Sequence, residues 1–268
     1  LAALITILTA RTKRLSIMKA IILSAGHGRR LLPMTAEIPK CLLDIEGRTV
    51  VEWQIDHLLE SGINHITVVV GYGALRVKEL LDRRYGTGRI KTIYNPFFDV
   101  ADNLATVWMA RDEMSGDFLL LNGDTLFEPA IVSRLLDSPT RPVTLARDHK
   151  SRYDSDDMKV CLDGNRLLNI GKDLDADNVD GESIGMLLFR EHGGKLFRDA
   201  VAQTMYAPVA LKQWYLSVID QLASGGHVWS QSINGLQWGE LDYPVDLDKA
   251  LKMAAGWIAD EAGDVQAI

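Results

Sequence analysis

Cysteine is nearly missing from this chain: only Cys41 and Cys161 occur in 268 residues. They lie far apart and match neither a zinc-site spacing nor a disulfide framework, which argues against metal–thiolate chemistry and against a stapled secreted fold. Two reduced thiols in a cytoplasmic protein are expected instead. Basic charge is also short, with 29 Lys and Arg against 36 Asp and Glu, a net charge of -7. General nucleic-acid and anionic-membrane binders are usually basic, so neither partner is expected. No repeat, low-complexity tract or long linker interrupts the chain. What is present, 47% hydrophobic and 24% charged residues, is the balance of a globular protein that can bury a core.

The first residues stand apart. Leu1 to Ala10 is apolar and is followed by Arg11, Lys13 and Arg14. A secretory signal carries its positive charge before the apolar stretch, and this run is too short to span a bilayer. Residues 1–17 are expected to be an extension outside the fold, with a short membrane-touching helix as the alternative. From 18 to 268 a single domain is expected. Its first half would cover about 18–140, its second half about 141–245, and a last helix would run from Pro244 to about Ala259.

The first half alternates strand and helix signals. Lys19–Ser24, Ile66–Val70, Ile90–Tyr94 and Phe118–Leu121 read as strands; Ile66–Val70 is a continuous β-branched run, as buried parallel strands are. Val50–Glu60, Leu75–Arg84 and Asn103–Met114 read as helices between them. Repeated strand–helix units imply a largely parallel sheet covered on both faces. In the second half, strands are expected in quick succession over 142–146, 158–162, 167–170 and 183–189, as an antiparallel or mixed insertion. Helices follow over 194–203 and 211–222, then strands over 228–233 and 237–241.

The chemistry begins at the end of the first strand, where Ser24 and Ala25 lead into Gly26-His27-Gly28-Arg29-Arg30. Glycine directly after a strand lets backbone N–H groups approach phosphate oxygens. A dinucleotide-binding loop would carry a third glycine at position 31, where Leu31 stands, and a P-loop would carry Gly-Lys-Ser/Thr. Both readings fail. What remains is a longer string: Gly26, Gly28, Arg30, Leu31, Pro33, Thr35, Pro39 and Lys40. Arg30 and Lys40 supply cations for phosphate oxygens.

This string resembles the opening signature of the sugar-nucleotidyltransferase superfamily, and the similarity runs from Met18 to about Leu251. Arg30 matches the signature arginine and Lys40 the signature lysine, while Arg29 stands where Ser or Thr is usual. The resemblance implies an α/β, Rossmann-like nucleotidyltransferase fold: a mixed, mostly parallel central sheet flanked by helices, with an antiparallel substrate-binding insertion. It implies Mg²⁺ held by Asp124, just past a strand end, and by Asp242 in a later strand-to-helix turn. Glu240 and Asp246 are lesser candidates. Nucleotide contacts are expected from Ser24, Ala25, Gly26, Gly28, Arg29, Arg30, Lys40, Gly71, Asn103 and Gly123. His27 sits inside the loop but is not expected to act as a base.

Within the superfamily the chain looks most like the choline-phosphate cytidylyltransferases and related small-phosphate or phosphonate enzymes. The segments 95–109, 157–160, 170–172 and 181–185 carry this similarity. Sugar enzymes tend to carry Glu-Glu-Lys-Pro where Ile170-Gly171-Lys172-Asp173 stands, so a hexose acceptor is disfavoured. The implied partners are CTP and a small phosphorylated acceptor, phosphocholine first, acting on a monomer or homodimer. Arg30, Lys40 and Lys172 are the expected catalytic cations. Lys159, Lys172 and Glu182 are expected at the acceptor, with Trp214, Tyr215 and Trp238 as a cage for a quaternary ammonium. A different acceptor, such as a phosphonate, a phosphorylated amino acid or polyol, or a sugar 1-phosphate, is the rival within enzymes. A nucleotide-sensing protein on the same fold is the rival outside them.

Overall fold

The computed structural model describes residues 17–266. All but the last residue of the expected extension therefore lies outside the described residues. In chain order the strands are β1 (Lys19–Ser24), β2 (Asp44–Ile45), β3 (Arg48–Thr49), β4 (His65–Val70), β5 (Lys91–Tyr94), β6 (Phe118–Asn122) and β7 (Thr125–Phe127), then β8 (Val143–Asp148), β9 (Lys159–Asp163), β10 (Arg166–Gly171), β11 (Gly181–Phe189), β12 (Val228–Ser232) and β13 (Trp238–Glu240). The α-helices are α1 (Val50–Glu60), α2 (Ala74–Tyr85), α3 (Asn103–Met109), α4 (Pro129–Leu136), α5 (Gly193–Thr204), α6 (Leu216–Ser224) and α7 (Pro244–Gln266).

Nine strands form one sheet in the order β5-β4-β1-β6-β11-β8-β12-β10-β9. The first four are mutually parallel, and β11 enters antiparallel between β6 and β8. The fold is the expected mixed α/β type, but β11 belongs to the sheet centre and not to an insertion. It is buried along its whole length. Of the expected insertion strands, β9 and β10 form an antiparallel hairpin at the far edge, where β9 also touches the start of β11.

Both faces of the sheet are covered. Ile21, Val69, Phe118, Leu120, Leu187 and Phe189 pack against α3, α5 and α6. Their neighbours Ala20, Ile22, Val68, Leu119, Leu121 and Leu188 point the other way, toward α1, α2 and α4. This two-sided burial explains why β1, β4 and β6 read as unbroken apolar runs. A third cluster joins Leu31, Trp53, Leu126, Leu241, Met253 and Trp257, and it seats α7 against the loop that follows β1.

Several elements differ from expectation. The helix expected over Asn103–Met114 ends at Met109, and a 3-10 turn over Arg111–Glu113 takes its place. Helix α4 and strand β7 carried no strong periodic signal, because they are only eight and three residues long. Helix α6 starts at Leu216 and not at 211. The chain before it is a short 3-10 turn and then extended at Gln213, and Asn103 Oδ1 accepts the Tyr215 N–H. Helix α7 continues beyond 259 to Gln266.

Candidate active site

The parallel strands β1 and β6 end side by side, with Leu23 paired to Asn122. Ligands in open α/β sheets bind outside such carboxyl ends. A cleft of about 540 Å³ opens here, bounded by 23–30, 98–103, 122–124, Lys40, Trp214 and Asp242. Ser24, Ala25, Gly26, Gly28, Arg29, Arg30, Asn103 and Gly123 all line it, as expected of nucleotide contacts.

The loop after β1 is held by its own residues. Gly28 takes a left-handed conformation at φ 72, and Thr35 Oγ1 donates to its carbonyl at 2.8 Å. A Cβ there would come within 2.8 Å of the Lys40 Cβ, so glycine is what lets the loop close over the lysine stem. Gly123 serves a similar need. Its N–H donates to the Leu23 carbonyl at 3.0 Å, and a Cβ would lie 2.2 Å from Ser24 Oγ. The strand ends can touch only because no side chain stands there.

Gln54 completes this turn, and sequence reasoning missed it. It is a buried amide on the apolar side of α1, and its Nε2 donates to the carbonyls of Asn122 and Thr125, both at 2.8 Å. The residues on either side of Gly123-Asp124 are thereby fixed. The available signal was one glutamine set among Val51, Ile55 and Leu58.

Lys40 is the centre of the site. Its Nζ lies 2.9 Å from Asp124 Oδ2 and 2.6 Å from Asp242 Oδ1. Burial alone would lower the lysine pKa, but the charges of Asp124 and Asp242 outweigh it and hold the group above its usual value. Asp242 is itself placed by Asp246, whose Oδ2 accepts the N–H groups of Asp242 and Tyr243 at 2.9 and 2.7 Å. Asp246 thus orients a candidate ligand. Glu240 is pushed up to about 8, first by burial and then by Asp124 and Asp242, so it leans toward the neutral acid.

Residues 20–230 match the MobA-like NTP transferase domain. The chain belongs to that family. Among curated proteins it is 29% identical to the CMP-5'-(3-aminopropyl)phosphonate synthase of Streptomyces rubellomurinus, over 87% of this chain and 38% of that protein. It is 34% identical to the choline-phosphate cytidylyltransferase of Streptococcus pneumoniae, over 41% of this chain and 47% of that one. The chain thus spans less than half the length of either relative. The inositol-1-phosphate CTP transferase of T. maritima shares the fold, with a TM-score of 0.74 at 20% identity, over 88% of this chain and 97% of that one.

Among the residues expected at an acceptor, several contacts are reassigned. Lys159 is buried, and its Nζ donates to the Lys172 carbonyl at 2.6 Å, so it positions the Lys172 backbone from below. Lys172 Nζ lies over the Trp214 ring, 4.7 Å from its centroid, and 3.1 Å from Asp156 Oδ1. Glu182 is buried in an ion pair with Lys150 at 3.0 Å, beside Asp157, and burial pushes it up to about 7 against the pull of Lys150. Its carboxylate is committed within the protein.

The expected aromatic cage does not assemble. Tyr215 is fully buried and donates its hydroxyl to Asn122 Oδ1 at 3.1 Å. Trp238 donates Nε1 to Asp148 Oδ2 at 2.6 Å and packs beside the α1 side of the sheet. Only Trp214 of the three lines the cleft. Gly71 is also corrected: it stands behind the wall, where a Cβ would meet the Ala25 carbonyl at 2.5 Å. Asn103 lines the cleft but spends its carbonyl on the Tyr215 N–H. Two cleft cations were not read as a pair of walls: Arg29 bonds Asp99 from across the opening, and Lys212 donates to the Val100 carbonyl at 3.1 Å.

The donor set suits a magnesium ion that brings its own phosphate oxygens. No group of three or more His, Cys, Asp or Glu residues gathers as a metal cage among the described residues. Asp124 and Asp242 nonetheless converge on one cation, and Asp124 Oδ1 is buried with no partner. One or two carboxylates plus substrate phosphates is the usual Mg²⁺ arrangement.

Proposed function

We propose that the chain transfers a cytidylyl group from CTP to a small phosphorylated acceptor and releases pyrophosphate. The reading rests on one observation above the others: Lys40 bridges Asp124 and Asp242 at the mouth of a glycine loop, where two parallel strands end. Such a site offers a fixed cation and two metal-ready carboxylates to a triphosphate. The family membership and the printed activities of the relatives support the same chemistry.

In the reaction, an acceptor phosphate oxygen attacks the α-phosphorus in line. The bond to the β-phosphate oxygen breaks, and pyrophosphate leaves with the electron pair. The nucleophile is already anionic, so no side-chain base is needed. The protein's task is to align two polyanions and offset their repulsion. Arg30, Lys40 and the backbone of Gly26–Gly28 face the triphosphate. Lys172, braced by Lys159 and Trp214, faces the acceptor. Asp124 and Asp242 would hold Mg²⁺, which neutralises phosphate charge when bound.

Phosphocholine is the first acceptor to test. An aminoalkyl phosphonate is the second reading, favoured by the dispersal of the aromatic cage and by the long alignment with the Streptomyces protein. A matrix of CTP, UTP, dTTP and ATP against phosphocholine, aminoalkyl phosphonates, phosphorylated amino acids and sugar 1-phosphates, scored by pyrophosphate release, tests the proposal. Release with CTP and one small acceptor supports it. Nucleotide binding without release for any pair would favour a sensing role.

A further inference from the structure

Asp156 lies on the irregular segment between β8 and β9, outside every motif that points to the site. Two hydrogen-bond donors and a third cation, from distant parts of the chain, meet its carboxylate. Tyr243 donates its hydroxyl to Oδ2 at 2.6 Å, Lys172 donates to Oδ1 at 3.1 Å, and Arg30 stands 3.8 Å from Oδ2. Lys172 and Arg30 are the cations assigned above to the two phosphate-bearing substrates. Around them, the Arg30 guanidinium stacks over the Tyr243 ring at 5.3 Å, and the Lys172 ammonium lies over Trp214 at 4.7 Å. These contacts make a built anion site, with two cations, a hydroxyl and two rings that hold the cations in place.

We infer that Asp156 fills the subsite for the acceptor's phosphate or phosphonate and competes with it from within the chain. The inference rests on the transfer reading for the identity of the anion, but the competition itself follows from the three contacts. A carboxylate and a phosphate oxyanion ask for the same donors: Tyr243 has one O–H to give, and although the Lys172 ammonium carries three N–H groups, two anions held at it side by side repel one another.

The segment is constructed for this. Asp154 Oδ1 accepts the N–H groups of Asp156 and Asp157 at 2.8 and 3.2 Å, so the turn that presents Asp156 closes on itself. Lys150 anchors the turn to the body through Asp157 and Glu182 at 2.6 and 3.0 Å. Neither tie uses the Asp156 side chain. Its carboxylate can rotate out of the donors while the turn stays in place, and 42% of the side chain is already open to solvent. An acceptor must therefore displace one rotamer and not a folded element. With the carboxylate taken to hold the donors about nine-tenths of the time, an acceptor would bind about tenfold more weakly than to a vacant subsite.

The test compares wild type, D156N and the double variant D156N/K172M in two assays. The first measures binding of methylphosphonate to the free chain by phosphorus NMR titration. The second measures KM for acceptor and for nucleotide by pyrophosphate release. Competition predicts about tenfold tighter methylphosphonate binding in D156N, loss of that gain in D156N/K172M, and a lower acceptor KM, with the nucleotide KM moving less because Arg30 stands 3.8 Å from Asp156 and is also paired to Asp242 at 3.6 Å. D156A should repeat the D156N result. Unchanged or weaker methylphosphonate binding in D156N overturns the inference, as does an acceptor KM that rises only for acceptors bearing an ammonium, which would make Asp156 a cation receptor. Tighter binding in a chain that turns over no pair would keep the internal competitor and refute the transferase. Turnover with no effect of D156N on binding would do the reverse.

Discussion

Replacing Lys40 by methionine tests the centre of the proposed site. Methionine keeps most of the stem and removes the ammonium, so packing against Gly28 survives while Asp124 and Asp242 lose their shared cation. The cost to folding can be bounded. An exposed ion pair is worth roughly 0.2–1 kcal/mol, whereas removing one partner of a buried pair costs roughly 3–5 kcal/mol. Here the lysine side chain is 13% exposed and the two carboxylates 30% and 33%. The variant should therefore sit between those limits, at about 2 kcal/mol, or roughly 4–8 °C in Tm for a chain near this size. Turnover should fall much further. Removing one preorganised donor from a site of developing charge costs on the order of 100- to 1000-fold. Urea denaturation gives the first quantity and pyrophosphate release the second. Millimolar Mg²⁺ should also raise the Tm of the variant more than that of wild type, because a cation that binds only the folded state stabilises it. A folded Lys40→Met chain with unchanged turnover would refute the assignment.

Three further outcomes are expected. Gln54→Leu leaves the carbonyls of Asn122 and Thr125 without their buried donor, so unfolding free energy should drop by about 1–3 kcal/mol, with hydrogen exchange quickening first at 123–125. Gly123→Ala forces a Cβ to within 2.2 Å of Ser24 Oγ and should cost about 1–3 kcal/mol of stability along with most turnover; a fully active, equally stable variant would contradict the packing of β1 on β6. Glu182 binds its proton more tightly folded, at about 7, than at its ordinary 4.5, so the folded state holds more protons in between and stability should decline as pH rises through that window, by up to about 3 kcal/mol. Glu182→Gln should flatten that decline, and urea titrations at pH 5, 6, 7 and 8 would show whether it does.

The parts of this fold that sequence reasoning reached are those whose burial is uniform. β1, β4 and β6 are covered on both faces, so their central side chains are almost all apolar and the strands announce themselves. Helix α4 was lost because its eight residues bury only Ile131, Val132 and Leu135, too few for a periodic signal. The start of α6 was misplaced for a different reason. Leu211 to Trp214 has helical composition, but Asn103 and α3 hold that stretch in another shape, and only the tertiary fold reveals it. The site divides in the same manner. Gly26, Gly28, Arg30, Lys40, Asp124 and Asp242 are legible because loop and strand-end residues recur in fixed order. Tyr215 and Trp238 misled because an aromatic residue reads the same whether its ring faces a ligand or the core.

Asp156 and Tyr243 show where such reading must stop. They lie 87 residues apart, and neither belongs to a motif, yet their side chains meet beside the motif residue Arg30. The cations there take part in two linked balances. Lys40 is neutralised by Asp124 and Asp242, Lys172 by Asp156, and Arg30 stands between them, 3.6 Å from Asp242 and 3.8 Å from Asp156. Both cation groups are thus paired internally before any substrate arrives. On the proposed reading, that pairing lets an acidic chain, with a net charge of -7, keep a cluster of cations assembled for phosphate groups. It also sets a selective threshold. On the proposed reading, a ligand must bring enough negative charge to replace the carboxylates, which a nucleoside triphosphate and a phosphorylated acceptor would do and a neutral metabolite of similar shape would not.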